Sequence, residues 1–396
     1  MEVAETVTIV SDFTRPWLLV LLAFAMFAFC GGSLNAQVSS QSPRASSNLQ
    51  TPAEDPQVDQ HAEAELRTGI ALTSKGQFAE AIPHLAAAKG HVHDDYAAQF
   101  NLALCYVGTN DFRRAIDQLN ALRENGIATA NVENLLAQAY IGDQQPDPAF
   151  KAFQRAASLT PKNEKLYLLV SDACADRQDY ALGIRIVDAG LSRLPDSAHL
   201  HYQRGYFLSM LDQFDAAKTD FDFAIKQAPH AEIGFVAAAQ KALFAGSLDE
   251  AISTSRQAAR ENRANYLVLT VLGEALIRSG ARPGQPEFLE ATEALNAAIT
   301  ARPTYASAQI SLGYDLLLSN STDLAIQHLE IGRQLDPKNP AVYSHLAVAY
   351  RKIGKRAEEQ RALATLKHLN AEQAARIYSA PGDRKSIPGA SSSVHP

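Results

Sequence analysis

The sequence predicts an all-α fold, a solenoid of about nine stacked helix-turn-helix repeats. The first observation is a period, because a small residue recurs along the chain and six of its seven spacings are 34 residues. The second is that apolar residues three or four apart form one helix face on either side of a short turn. A period of this length is typical of stacked supersecondary units rather than of one globular core. The recurring residues are Ala81, Ala115, Ala149, Gly183, Ala217, Ala251, Ala291 and Ala325.

Each repeat follows one frame, which we number from the first residue of the repeat. In the fifth repeat, Gly205 stands at position 8, Ala217 at position 20 and Pro229 near the end. Small residues at positions 8 and 20 allow the two helices to approach closely, and the proline ends the second helix. The nine first residues are Ala62, Tyr96, Ala130, Glu164, Ala198, Glu232, Tyr266, Ala306 and Pro340.

Three repeats depart from the frame. Gly183 replaces alanine at position 20, which we expect to loosen that helix by about 1 kcal/mol. About six extra residues around Ala281–Glu287 interrupt the seventh repeat, so later positions of that repeat are counted six further on. We expect a longer turn there, with a projecting loop that contacts a partner as the alternative. Glu359 stands at position 20 of the ninth repeat, as expected of a terminal unit without a following neighbour.

Composition and the chain ends predict an exported protein. Trp17–Phe29 is an apolar run behind Arg15, too short for an ordinary membrane span, so residues 1–36 are predicted to be a signal peptide cut after Ala36. An uncleaved membrane anchor and a lipid on Cys30 are the alternatives. We therefore expect a periplasmic or secreted protein, with membrane contact only through this segment. Residues 37–61 are predicted to be a flexible linker, 62–377 a solenoid with a C-terminal capping helix, and 378–396 a flexible tail.

Nothing in the sequence indicates a catalytic or cofactor site. No Gly-rich phosphate loop or nucleophile elbow is present. His91–Asp95 is the densest group of candidate metal ligands, but we expect a polar turn that begins a helix near Asp94 or Asp95. Cys105 and Cys174 are predicted to be buried without a disulfide. The net charge is −7 and the sequence has no run of basic residues, which argues against a nucleic-acid partner. We expect no enzyme activity, cofactor or metal.

The third repeat carries Leu136, Ala137, Tyr140, Ala149 and Phe153, followed by Ala156 and Pro161. These positions resemble the tetratricopeptide repeat family over nearly all of residues 62–370. The resemblance implies a right-handed α-α superhelix whose first helices line a groove, with positions 2, 5, 9 and 12 facing it. It also implies a protein or peptide as the partner. The predicted partner-binding residues are Tyr202, Tyr206, Tyr314, Gln138, Asp172, Gln240, Glu274 and Asn101.

Tyr202 and Tyr206 are four residues apart, hence on one helix face, and tyrosine is favoured in binding hot spots. Some members of the family grip a peptide's terminal carboxylate, but only Asn101 matches that pattern here. The resemblance favours a non-catalytic scaffold, and the predicted export signal favours a place within a bacterial envelope, pilus or secretion assembly. The alternatives are an accessory subunit of a glycosyltransferase or other enzyme complex, and a homo-oligomer that self-associates through apolar residues of the ninth repeat. Those residues are Val342, Tyr343, Leu346 and Tyr350.

Overall fold

The structure is a computed structural model that describes residues 59–379, with side chains up to Glu372. Every regular element in this range is an α-helix, and the helices form nine consecutive hairpins, as the period predicts. The first helices are α1 (Gln60–Ser74), α3 (Asp95–Gly108), α5 (Ala130–Gly142), α7 (Glu164–Asp176), α9 (Ala198–Met210), α11 (Glu232–Phe244), α13 (Tyr266–Arg278), α15 (Ala306–Leu318) and α17 (Pro340–Lys352). The second helices are α2 (Phe78–Ala88), α4 (Phe112–Glu124), α6 (Pro146–Leu159), α8 (Tyr180–Leu191), α10 (Phe214–Gln227), α12 (Leu248–Arg260), α14 (Pro286–Ala301), α16 (Thr322–Leu335) and α18 (Arg356–Ser379).

Several predictions concern residues outside this range. The predicted signal segment with Cys30, residues 37–58 of the predicted linker and the tail beyond Ser379 lie outside the described residues. Within residues 59–379, no helix combines the length and the hydrophobicity needed to cross a membrane.

Contacts between residues divide the chain into two parts, which we describe separately. The N-terminal part runs to Val268 and includes Ala301–Pro303, and the C-terminal part comprises Leu269–Thr300 and residues from Thr304 onward. From α1 to α12, each second helix packs against the first helix of the next hairpin, and successive first helices also contact one another. The same arrangement holds from α15 to α18. First helices therefore line one side of each part.

The two helices of a hairpin meet where position 8 faces position 24. A Cβ added to Gly273 would lie 2.5 Å from Leu295 Cγ, and one added to Gly313 would lie 2.6 Å from Leu329 Cγ. Both leucines are fully buried. Position 8 is glycine, alanine or serine in all nine repeats, so the close approach of the two helices is a requirement shared along the chain.

The glycine at position 20 of the fourth repeat has a packing role. A Cβ at Gly183 would lie 2.5 Å from a ring carbon of Phe207, which is itself fully buried. Helix α8 nonetheless runs unbroken past this glycine. The Phe207 ring thus occupies the space that alanine would take, and its burial offsets the helix propensity that glycine loses.

The remaining local features agree with their residues. Cys105 and Cys174 are buried and unpaired, as predicted. The extra residues of the seventh repeat form a turn between α13 and α14, in which Gln285 Oε1 accepts a hydrogen bond from the Arg282 backbone at 2.7 Å. Helix α18 continues for 24 residues, so the second helix of the ninth repeat and the predicted capping segment are one helix. Within that repeat, Glu359 accepts a hydrogen bond from Arg351 Nε at 2.6 Å.

Position 15 has the same backbone conformation in every repeat. It lies in the turn between the two helices of a hairpin, and its φ angle is positive in all nine cases, from 58° to 103°. Only glycine adopts this left-handed region freely, and asparagine and aspartate tolerate it better than other residues. The nine residues are Gly76, Asn110, Gln144, Gln178, Asp212, Gly246, Gly280, Asn320 and Gly354.

We predict that the residue at position 15 changes the free energy of unfolding by a measurable amount. No atom lies within 4 Å of a Cβ added to Gly246, so a substitution there tests the backbone angle alone. Gly246→Ala should lower the free energy of unfolding by about 1 kcal/mol, because alanine disfavours φ > 0. Gly246→Asn should cost less, as asparagine occupies the same position in two other repeats. Urea unfolding followed by circular dichroism measures both, and equal stability of the two variants would contradict the explanation.

Candidate interaction surface

The open side is the side of each part that the first helices line. Positions 2, 9 and 13 of these helices carry the side chains that reach it, and we call these positions the open stripe. At position 9, all residues except Leu104 and Gln240 keep some solvent exposure, and position 13 is never buried in the residues described. Positions 5 and 12 are buried in most repeats, because they face the adjacent first helix. The open stripe therefore includes positions 2 and 9 of the predicted set and replaces positions 5 and 12 by position 13.

The eight predicted partner-binding residues fall into two groups. Tyr202 and Gln240 are only 6% and 8% exposed, so they offer little surface to a partner in this conformation. The other six keep part of their surface open, and Tyr314 is the most exposed of them at 36%. These six are Asn101, Gln138, Asp172, Tyr206, Glu274 and Tyr314.

The two tyrosines of α9 do not form a joint surface. Tyr202 belongs to the hydrophobic core, with its ring 5.9 Å from the ring of Phe221. Tyr206 lies at position 9 and remains half-exposed, with its ring 6.5 Å from that of Tyr180 in an edge-to-face arrangement. Burial of Tyr202 follows from its place at position 5. Of these two tyrosines, only Tyr206 presents its ring on the open stripe of α9.

The amide side chains of this side are engaged within the fold. Asn134 Nδ2 donates to the backbone oxygen of Leu166 at 3.0 Å, which ties α5 to α7. Gln138 Nε2 donates to Asn134 Oδ1 at 2.6 Å. Asn101 Nδ2 donates to the Ala97 oxygen at 2.8 Å within its own helix. Gln138 keeps its carbonyl oxygen as an acceptor, so it retains a group that a peptide N–H could use.

A cluster of charged groups marks the middle of the N-terminal part. Asp172 and Asp176 lie four residues apart on one face of α7. Gln203 Nε2 donates to Asp172 Oδ1 at 3.3 Å. Arg302 donates to the hydroxyl oxygen of Tyr266, and its guanidinium lies 4.8 Å from the centre of the Tyr266 ring. Arg302 lies close enough to both carboxylates to lower the pKa of each.

Asp172 has an unusual protonation equilibrium. Burial raises its pKa from 3.8 to about 6, and Asp176 adds to the rise, whereas Arg302 and Gln203 oppose it. The folded-state pKa is therefore higher than the unfolded one. Such a group favours folding below about pH 4, and that contribution is lost as the pH rises through 6. A cationic group placed beside Asp172 would favour the charged carboxylate.

Four members of this cluster were not predicted from the sequence, namely Asp176, Gln203, Tyr266 and Arg302. Asp176 could have been found, because it lies one helical turn after Asp172. Tyr266 begins α13 and Arg302 follows α14, outside the first-helix positions considered. Their proximity to α7 depends on how successive hairpins stack, for which the sequence offers no local signal.

The C-terminal part carries its own aromatic group on the open stripe. Tyr314 of α15 stacks on His345 of α17, with ring centres 4.5 Å apart. Burial lowers the pKa of His345 to about 4, so this imidazole is neutral at pH 7. On α13, Arg278 donates to Glu274 at 3.2 Å, and burial raises the pKa of that glutamate while Arg278 opposes the rise.

The histidine-rich segment before α3 is a capped turn. The Ala97 backbone N–H donates to Asp94 Oδ1 at 2.9 Å, which makes Asp94 the N-cap of α3, as predicted. Gly90 N donates to Asp95 Oδ1 at 2.6 Å, and His93 N donates to Glu63 at 2.9 Å. Among the residues with described side chains, no group of three or more His, Cys, Asp or Glu is placed to hold a metal ion.

Comparison with known proteins agrees with this architecture. A family model described as tetratricopeptide repeat matches residues 72–139. The structure of yeast Tom70 is similar over 85% of this chain and 68% of its own length, with 18% identity and a TM-score of 0.51. A tetratricopeptide repeat protein from Parabacteroides merdae matches over 65% of this chain and all of its own, with 14% identity and a TM-score of 0.47. At 18% identity the likeness to yeast Tom70 shows the fold alone. No curated protein sequence matches the chain.

We predict that the two charged neighbours of Asp172 shift its pKa in opposite directions. Arg302→Met removes a cation and should raise the pKa of Asp172 above 6 by about one unit. Asp176→Asn removes an anion and should lower it. Carboxyl-carbon NMR of aspartate-labelled protein, with Asp172→Asn to assign the signal, measures both. Shifts of the same sign in the two variants would show that these side chains do not act on Asp172 as described.

Proposed function

Because the chain is a tetratricopeptide repeat protein, we propose that it is a non-catalytic scaffold that binds a protein or peptide along its first helices. The observation that carries the proposal is the contrast between two kinds of position. Positions 8 and 24 hold residues that serve the packing of each hairpin. Position 9 of successive first helices instead holds Gln138, Asp172 and Tyr206, whose identities no packing rule requires and whose surfaces stay partly open. Side chains that differ from repeat to repeat and keep part of their surface open are those available to a ligand.

The chemistry of these side chains suits a polypeptide ligand. Tyr206 and, in the C-terminal part, Tyr314 offer flat apolar surfaces with a polar tip, the type of group that dominates binding hot spots. Gln138 retains an acceptor for a backbone N–H. Asp172 offers a carboxylate in surroundings that raise its pKa, so a lysine or arginine of a partner would gain from an interaction little screened by water.

We further propose that the protein is exported and acts in a bacterial envelope. The support is the apolar run Trp17–Phe29 with small residues up to Ala36, which matches the order of a secretory signal. The chain expressed with its own N-terminus in a Gram-negative bacterium should be found in the periplasmic fraction, starting at Gln37 by mass spectrometry. A chain recovered from the cytosol with Met1 intact would exclude this proposal without affecting the scaffold.

The binding face is tested by site-specific photo-crosslinking. A photoreactive phenylalanine analogue replacing Tyr206 should capture a partner in cell extract, because it lies on the open stripe of a first helix. The same analogue replacing Phe214 is the matched control, since Phe214 is an exposed aromatic residue, 52% exposed, at the start of a second helix. We expect at least about tenfold more crosslinked product from the Tyr206 site.

The opposite result decides against the proposal. Crosslinking from Phe214 but not from Tyr206 would place the partner on the second helices. Equal capture at both sites would show adhesion without a preferred face.

A further inference from the structure

Position 24 is buried in every repeat except the last. In the first eight repeats its exposed fraction is at most 1%, whether the residue is Leu, Phe, Val or Ser. In the ninth repeat the same position is Leu363, which is 41% exposed. The eight buried residues are Leu85, Leu119, Phe153, Val187, Phe221, Ser255, Leu295 and Leu329.

The first helix of a following repeat provides the missing cover. In the C-terminal part, Leu329 at position 24 belongs to one core cluster with Val342 and Leu346 of the next first helix, α17. No first helix follows α18 in the part of the chain that the structure describes. Leu363 therefore keeps an apolar surface that the eight preceding repeats bury.

The other end of the array does not share this property. Positions 3, 7 and 10 of a first helix pack against the preceding repeat, and in α1 they are Ala64, Thr68 and Ala71. These three residues are exposed, yet they are small or polar. Position 7 is leucine or valine in six of the eight later repeats. Helix α1 thus lacks the large apolar residue that seven of the eight later first helices have at these positions; the exception is α11, with Gly234, Ala238 and Lys241.

We propose that a second copy of this chain covers Leu363, with the two α18 helices packed antiparallel about that residue. Residues 356, 359, 363, 367 and 370 lie on one face of α18, at helical spacings of three and four. In an antiparallel pair with Leu363 opposite Leu363, residue 363 + n of one copy faces residue 363 − n of the other. Lys367 then lies opposite Glu359 of the second copy, twice by symmetry. Glu359 Oε1 accepts a hydrogen bond from Arg351 of its own chain, so Lys367 would pair with the other carboxylate oxygen, Oε2.

The charge pattern favours an antiparallel pair of α18 helices over a parallel pair, and the residues of α1 argue against a head-to-tail contact. Glu359 before Leu363 and Lys367 after it make the face complementary to itself only when the two helices run in opposite directions. In a head-to-tail arrangement, α1 of a second copy would offer Thr68 to the leucine instead of an apolar side chain. Thr68 Oγ1 already donates to the Ala64 backbone oxygen at 2.9 Å, so the contact would be weak because these small side chains bury less apolar surface than a leucine.

Sedimentation equilibrium of the purified full-length chain tests the proposal. We expect a reversible monomer–dimer equilibrium with a dissociation constant below about 100 µM, typical of a modest helix–helix contact. Leu363→Glu should weaken the dimer at least about tenfold, because a charge would be buried at the centre. Leu289→Glu is the matched control, since Leu289 is an exposed leucine, 60% exposed, on another helix of the same part. It should leave the equilibrium unchanged.

Charge exchange and crosslinking test the direction of the pair. Glu359→Lys and Lys367→Glu should each weaken the dimer about threefold, and the double variant should restore it. Under mild oxidation, Leu363→Cys should form a disulfide-linked dimer that the parent chain and Leu289→Cys do not form, because the two central Cα atoms would lie within about 7 Å.

Three results would overturn the proposal. A chain that stays monomeric throughout the concentration range excludes self-association. A dimer insensitive to Leu363→Glu uses another surface. A dimer that depends on Leu363 but does not crosslink in the Leu363→Cys variant is head-to-tail, or has its leucine covered by a different segment.

Discussion

Close approach of two helices at position 8 is the constraint on which every hairpin depends. A glycine, alanine or serine there leaves space for the side chain at position 24, and that side chain is buried in the first eight repeats. Gly273 and Leu295 show how tight the fit is, since even one added carbon would lie 2.5 Å from the leucine. Each repeat thus forms a layer with an apolar side that the next layer must cover.

Different positions of the repeat serve the fold and the recognition of a partner. Positions 8, 15 and 24 are restricted by sterics or by backbone angle, so they repeat. Position 9 is released from both restrictions and varies from glutamine to aspartate to tyrosine along the N-terminal part. Where charge collects, as around Asp172, the surrounding protein alters its chemistry, because a partly buried carboxylate loses hydration that Arg302 only partly replaces.

The helices could be located from the sequence because their signals are local. The predicted starts Ala62 and Tyr96 lie within two residues of the observed ones, since helical spacing and turn residues are readable one repeat at a time. The open surface of the first helices was harder to predict. Tyr202 and Tyr206 share a helix face, and only the neighbouring first helix decides that one is buried and the other half-exposed. Arg302 was missed altogether, because a turn residue reaches α7 only through the stacking of several repeats.

The left-handed turn at position 15 has a consequence for how such a chain can change. After Gly280 the seventh repeat carries its extra residues, and α14 then resumes with Ala291 buried at position 20. The fold has therefore already accepted an insertion at this point without loss of register. The link between the two helices of a hairpin can therefore vary in length. A foreign loop grafted there would be exposed at the edge of its hairpin, and the helices would keep their register.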